Sequence, residues 1–172
     1  PAFFPTKISP TSGIDAIIEL SFVAGTKVPF KLTILPLSTY PSNKIDTAGP
    51  IAKASSIFRT LSNLSYPLEK IVYGVNNELV EAKFKGMFVT AVFGKFDINT
   101  CDVTFVNAGH ESIMVFDRNK NFEFLKSEMP PIGIIKYFTE SMVKSKTINL
   151  KEKAFVVYTD GVTEGYLKNG QE

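Results

Sequence analysis

The stretch VTFVNAGHESIMVF, residues 103–116, decides how the rest of the chain is read. Two runs rich in β-branched and aromatic residues, 103–108 and 112–117, flank the three residues Gly109, His110 and Glu111. Such side chains fit a pleated surface, and a connection this short favours antiparallel neighbours. Ala108-Gly109 suits a hairpin, because glycine adopts positive φ at no steric cost. The stretch is therefore expected to be two paired strands and the turn between them.

Four more strand-like runs lie around it: MFVTAVFGKFD (87–97), FEFL (122–125), SKTINL (145–150) and AFVVYT (154–159). Most of the connections are short and polar: INT, GHE, RNKN and KEK. Residues 87–125 are thus expected to run as consecutive antiparallel strands, a meander. MPPIG (129–133) is expected to cross the end of the sheet as a rigid connector, since paired prolines fix φ and cannot donate to a ladder. Upstream the period changes. Ala54, Ile57, Phe58, Leu61 and Leu64 repeat at helical spacing, as do Leu68, Ile71, Val72, Val75, Leu79 and Val80. Ser65 and Pro67 punctuate the two stripes, with proline expected in the first turn of the second helix. Before the helices, residues 14–22 and 30–37 read as strands and YPSNKIDTAGP (40–50) as loop. Two amphipathic helices laid on antiparallel strands make an α+β architecture.

Composition narrows the function classes. The chain has 172 residues, 44% hydrophobic and 21% charged, which suits one domain over 1–172 with a single core. Its abrupt ends suggest a piece of a longer chain. Nineteen basic against seventeen acidic residues leave a net charge of +2, and the only arginines are Arg59 and Arg118. Nucleic-acid binding needs a basic cluster with interleaved aromatics, and none is present. One cysteine, Cys101, allows no intrachain disulfide and favours a reducing, cytoplasmic setting. One histidine and one cysteine do not make a zinc site, so any metal would rest on carboxylates, which suit Mg²⁺, Mn²⁺ or Ca²⁺. No apolar run approaches a membrane span, and no signal-peptide layout opens the chain.

Few residues are left to carry chemistry. FVVYTDGVTE, 155–164, runs an apolar strand into Asp160-Gly161. Asp-Gly is a hairpin signal, but Glu164-Gly165 and Asn169-Gly170 break any strand that would follow. An aspartate ending a buried strand can instead project into a cleft and bind a hard cation. Asp46 stands three positions before Gly49 at the entry to the first helix. Capping or turn initiation is its ordinary role, and metal ligation past backbone opened by Gly49 is the sharper one. His110 is the sole imidazole; beside a turn and without a Ser or Cys motif, a structural role is the plainer reading.

These pieces, in this order, resemble the SpoIIE/RsbU branch of the metal-dependent PPM-type serine/threonine phosphatases. GMFVTAVFGKFD, the Asn107-Ala108-Gly109-His110 turn, MPPIG and VVYTDGVTE carry the resemblance over residues 51–172. It implies two antiparallel sheets packed face to face and flanked by helices, with the C-terminal part truncated here. It also implies an activity: two Mn²⁺ or Mg²⁺ ions held by aspartates activate a water that attacks a phosphoserine or phosphothreonine. Asp160 resembles the late metal-binding aspartate, and Asp46 with Gly49, more weakly, the D-x-x-G element. Asn107, Gly109, His110, Gly161 and Glu164 belong to the motifs without an assigned role. The implied partners are a phosphorylated anti-sigma-factor antagonist, an upstream sensor domain in the same chain and a second copy in a homodimer. The family's early G-G-D is not visible, and no acidic residue stands between Glu19 and Asp46. The alternative is therefore a pseudophosphatase that binds partners without turnover.

Overall fold

The computed structural model describes residues 30–33, 48–82, 88–97 and 99–158. Several expected features lie outside these residues: the strand at 14–22, the second half of the strand at 30–37, Asp46, Asp160, Gly161 and Glu164.

Helix α1 spans Ala48–Ser62 and α2 spans Leu68–Glu81. In α1 the stripe buries Ala54 and Phe58, with Ile57 and Leu61 half-buried. Leu64, expected on the same stripe, is 54% exposed, because the helix has already ended at Ser62. Ser62 takes the buried place and donates its hydroxyl to the Phe58 carbonyl at 2.6 Å. Between the helices Ser65 is left-handed at φ 55°. Pro67 is the N-cap of α2 and not a first-turn residue, at φ −55° and ψ 147°; its carbonyl accepts from the Ile71 amide at 3.1 Å. Leu68, Ile71, Val72, Val75 and Leu79 of α2 are buried as their spacing requires. The two helices meet closely at Gly74, where a Cβ would lie 2.7 Å from Leu61 Cδ1.

The strands are β1 Phe30–Thr33, β2 Ala91–Asp97, β3 Asp102–Ala108, β4 Ile113–Asp117, β5 Phe122–Leu125, β6 Lys146–Asn149 and β7 Lys153–Val156. A short 3₁₀ turn, Glu140–Met142, precedes β6. All pairings are antiparallel and fall into two sheets, β1-β2-β3-β6 and β5-β4-β7. The expected meander over 87–125 is therefore broken in its middle. β2 pairs with β3, and β4 with β5, but β3 and β4 belong to different sheets. The Gly109–Glu111 connection is a corner between sheets and not a hairpin, and the KEK connection between β6 and β7 is a second one. Because β6 runs antiparallel to β3 and β7 to β4, the two corners lie at opposite ends of these pairs, the second beside the β2–β3 turn where the Leu150 amide donates to the Cys101 carbonyl at 2.8 Å.

The layers follow from strand alternation. Ala91 and Phe93 of β2, with Val106 and Ala108 of β3, face the helices and join Phe58, Ile71, Val72 and Val75 in one core. The Phe58 and Phe93 rings lie 5.3 Å apart across it. Val92, Val103 and Phe105 face the other way, against Ile113, Val115 and Leu125 of the second sheet. The first sheet is thus a middle layer with both faces covered, which is why its strands read as nearly unbroken apolar runs. On the second sheet, Phe116, Phe122 and Phe124 are exposed. At the β4–β5 turn the Asn121 side chain donates to the Asp117 carboxylate and, with help from backbone donors, holds its pKa below the usual range.

Two stability outcomes follow. Phe58→Ala, at a site 2% exposed, is expected to lower the unfolding free energy by about 3–5 kcal/mol in urea titration. Ser65→Gly removes the left-handed strain at φ 55° and is expected to raise it by about 1 kcal/mol in the same measurement.

Candidate functional site

The corner after β3 is built around Asn107, which alternation turns toward the space between the sheets and leaves 4% exposed. A buried amide needs partners for both of its ends. The Asn107 carbonyl oxygen accepts from the His110 amide at 2.9 Å, and its Nδ2 donates to the Glu111 carbonyl at 2.9 Å. The side chain so replaces the ladder partners that the corner lacks. Ser127 braces the other side. Its Oγ accepts from the Gly109 amide at 2.8 Å and shares its one proton between the carbonyls of Asn107 (2.8 Å) and Met129 (2.7 Å). Among the described residues no buried side-chain nitrogen or oxygen lacks a partner.

Gly109 is required here for two reasons. Its φ is +66°, and a Cβ would lie 2.4 Å from Pro131 Cδ. The corner therefore rests directly on the MPPIG segment, which is more than the connector expected from sequence. Met129 bridges to Ala108, and Ile132 exchanges two hydrogen bonds with Val89 at 3.0 and 2.9 Å. Pro130 and Pro131 sit between those bridges, where no backbone donor is needed. From the other side Asn76 of α2, 1% exposed, accepts from the Gly133 amide at 2.9 Å. Helix, corner and proline loop are thus fastened at one end of the sandwich.

His110 connects the two sheets at that end. Its Nε2 lies 2.9 Å from the Tyr158 carbonyl oxygen and its Nδ1 3.3 Å from Thr90 Oγ1. A carbonyl only accepts, so Nε2 carries a proton; in the neutral ring Nδ1 then accepts from the Thr90 hydroxyl. The ring is 8% exposed and engaged on both sides. Among the described residues the ring therefore bridges the two sheets. Tyr158 is two positions before Asp160.

Of the residues singled out from sequence, the structure brings Asn107, Gly109 and His110 together at this corner. Gly49 lies in the first turn of α1, where it opens no loop backbone. Asp46, Asp160, Gly161 and Glu164 lie outside the described residues, and among those described no three His, Cys, Asp or Glu side chains are grouped to hold a metal. Thr90, Ser127 and Asn76 were not singled out. Asn76 did carry a signal, because it interrupts the apolar stripe of α2 with a polar residue. Thr90 and Ser127 carried none. A groove of about 530 Å³ runs between the helices, lined by Ile57, Leu61, Gly74, Asn77, Glu78 and Glu81 among others, and none of the corner residues lines it.

Comparison with known proteins agrees with this geometry. The family model described as Stage II sporulation protein E (SpoIIE) matches residues 44–172. Protein IcfG of Synechocystis sp. (strain ATCC 27184 / PCC 6803 / Kazusa) is 35% identical over 78 residues, 45% of this chain and 12% of that protein. The crystal structure of the RsbU and RsbW domains of Rv1364c from Mycobacterium tuberculosis superposes with a TM-score of 0.58 at 12% identity, covering 80% of this chain and 40% of that one. RsbX in complex with magnesium gives 0.60 at 14% identity, covering 81% and 63%. The chain therefore spans only a small part of its curated relative and less than two thirds of either solved chain. At these identities the solved structures share the fold: two antiparallel sheets with helices.

Two substitutions probe the corner. Gly109→Ala meets both Pro131 and an unfavourable φ, and is expected to cost at least about 2 kcal/mol of stability in chemical denaturation. Asn76→Ala leaves the Gly133 amide without its acceptor and is expected to cost about 1–3 kcal/mol.

Proposed function

The chain belongs to the SpoIIE family, and on that footing we propose that it removes phosphate from phosphoserine or phosphothreonine of a regulatory protein in bacterial signalling. The observation that carries this reading is the convergence of the Asn107–His110 corner, the MPPIG loop and the end of β7 at one edge of the sandwich. The segment that leaves this edge begins Thr159-Asp160-Gly161.

The donors available there decide which ion fits. The chain has one histidine and one cysteine, the latter in the turn between β2 and β3, which do not make a zinc site. Carboxylate oxygens remain, and they suit Mg²⁺ or Mn²⁺ rather than zinc. RsbX, a neighbour in fold, was solved with magnesium, which supports a hard dication here. Asp160 would hold the ions, with Asp46 as a second carboxylate ahead of α1. Bound there, two such ions supply a lowered water pKa and neutralise charge developing on the phosphoryl oxygens. The protein's own part is to place the carboxylates. In the net reaction water adds to phosphorus, the bond from phosphorus to the side-chain oxygen breaks, and that oxygen regains a proton.

The substrate is read as a small phosphoprotein of the anti-sigma-factor antagonist kind. Support comes from a fold neighbour in which an RsbU domain and an RsbW domain share one chain. An upstream sensor domain in the same chain belongs to the same reading, and the match to only 12% of IcfG is compatible with one domain of a longer chain. A pseudophosphatase is the second reading, favoured by the lack of any acidic residue between Glu19 and Asp46.

Asp160→Asn keeps shape and removes charge, so it is expected to weaken Mn²⁺ binding at least tenfold in calorimetric titration, with little change in unfolding. Release of phosphate from a phosphoserine protein should fall with it. Metal binding without turnover in the wild type would favour the pseudophosphatase. A folded wild type that binds neither Mn²⁺ nor Mg²⁺ would overturn the site.

A further inference from the structure

We propose that Asn76 is a conformational latch: through one peptide plane of the MPPIG loop it ties the seating of α2 to the seating of Pro131 under Gly109, so that helix and corner move as one unit. The proposal is independent of the reaction assigned above and holds whatever chemistry that edge performs. Asn76 is the one polar residue among the six that α2 buries, and it is 1% exposed. Its Oδ1 accepts from the Gly133 amide at 2.9 Å, and its Nδ2 lies 3.4 Å from both the Ile135 carbonyl oxygen and Asn77 Oδ1. Apolar packing has no direction, so on its own it lets a helix slide a little at small cost. A buried amide whose partners lie on another segment fixes the register.

The path from Asn76 to the corner is short and stiff. The peptide unit joining Ile132 to Gly133 is planar, and it is pinned at both ends. Its amide donates to Asn76, and its carbonyl accepts from the Val89 amide at 3.0 Å. The preceding unit, from Pro131 to Ile132, is held as well, since the Ile132 amide donates to the Val89 carbonyl at 2.9 Å. Only the two torsions of Ile132, itself buried, separate the two planes. The ring of Pro131 fixes its φ, and that ring is what a Cβ at Gly109 would strike at 2.4 Å. Gly109 in turn donates to Ser127 at 2.8 Å. A shift of α2 that breaks the Gly133 bond therefore frees the plane that seats Pro131, and the corner loses its floor. Beyond Gly133 the chain keeps to α2 in reverse order. Phe138 stacks on Tyr73 with ring centroids 6.4 Å apart, and Ser145 donates to the Glu69 carboxylate. These contacts brace the segment between the MPPIG loop and β6 against the helix, and Asn76 is the one of the three that stands next to the corner.

Amide hydrogen exchange on the intact, folded chain tests the latch. In the wild type the amides of Gly133, Ile132, Val89 and Gly109 should open in one cooperative step, with the same dependence on denaturant. Asn76→Ala should speed exchange at Gly109 at least about tenfold more than Val103→Ala does, once both are corrected for their loss of global stability. Val103 is a suitable control because it is buried at the far end of β3, in the other core. Coupling is reciprocal. Ser127→Ala, which strips the Gly109 amide of its acceptor, should therefore speed exchange at Gly133 after the same correction. It is the decisive variant if Asn76→Ala does not fold. Gly109 opening apart from Gly133 in the wild type would overturn the proposal. So would a Gly109 amide that exchanges alike in Asn76→Ala and Val103→Ala, or a Gly133 amide as well protected in Ser127→Ala as in the wild type. None of these outcomes involves metal binding or turnover, so failure of the phosphatase reading and failure of the latch are told apart.

Discussion

The structure depends on how near Gly109 comes to Pro131. With no Cβ at 109, the corner after β3 settles onto the proline loop, at a distance that would otherwise put two carbons 2.4 Å apart. That approach lets the chain leave the first sheet and enter the second within four residues, 109–112. It also brings Ser127 within reach of the Gly109 amide and Asn107 within reach of the backbone beyond. A side chain at 109 would lift the corner off the loop, and these hydrogen bonds would have to lengthen together. The polar network is therefore a consequence of close packing. Once formed it satisfies groups that burial would otherwise leave costly.

Burial on both faces explains the middle layer. Phe93 and Val92 are adjacent in β2, both nearly inaccessible, and face different cores. A strand of this kind has no solvent face, and its ends are the natural places for polar residues to meet. Asn107 and Thr90 stand at such ends, as does Ser127 on the loop just past β5. The division of labour is clear: apolar area holds the layers together, while a few hydrogen bonds fix their angular relation at the edge.

Much of this was legible in the sequence. The helical stripes named the right residues, apart from Leu64, where the helix stops before the spacing does. Among the described residues the strand runs also fell in the right places. What escaped was which strands pair. A strand's two-residue period says which side chains share a face but not which sheet the strand joins. Three residues such as Gly109–Glu111 satisfy a hairpin and a corner equally well. The choice lies in a contact with Pro131, more than twenty positions away. The motif residues of the corner were visible as a pattern, but their purpose was not. Asn107 works through backbone groups, which leave no trace in side-chain type. Thr90 and Ser127 look like ordinary strand and loop residues until His110 and Gly109 are placed against them.

The double corner also bears on the order in which the chain assembles. β2 with β3 and β4 with β5 close locally, at Asp97–Asp102 and Phe116–Phe122. β3 with β6 must wait for 41 (Phe105 to Lys146) to 47 (Asp102 to Asn149) residues of chain, and β4 with β7 for 36 (Asp117 to Lys153) to 42 (Met114 to Val156). Distant pairings of this sort slow folding, because loop closure is opposed by entropy before contacts reward it. Two early hairpins followed by late zipping of β6 and β7 across both is the sequence of events that this topology sets. During it the first sheet's edge at β3 stands open, a surface that a ribosome-bound or concentrated chain would have to keep from its neighbours.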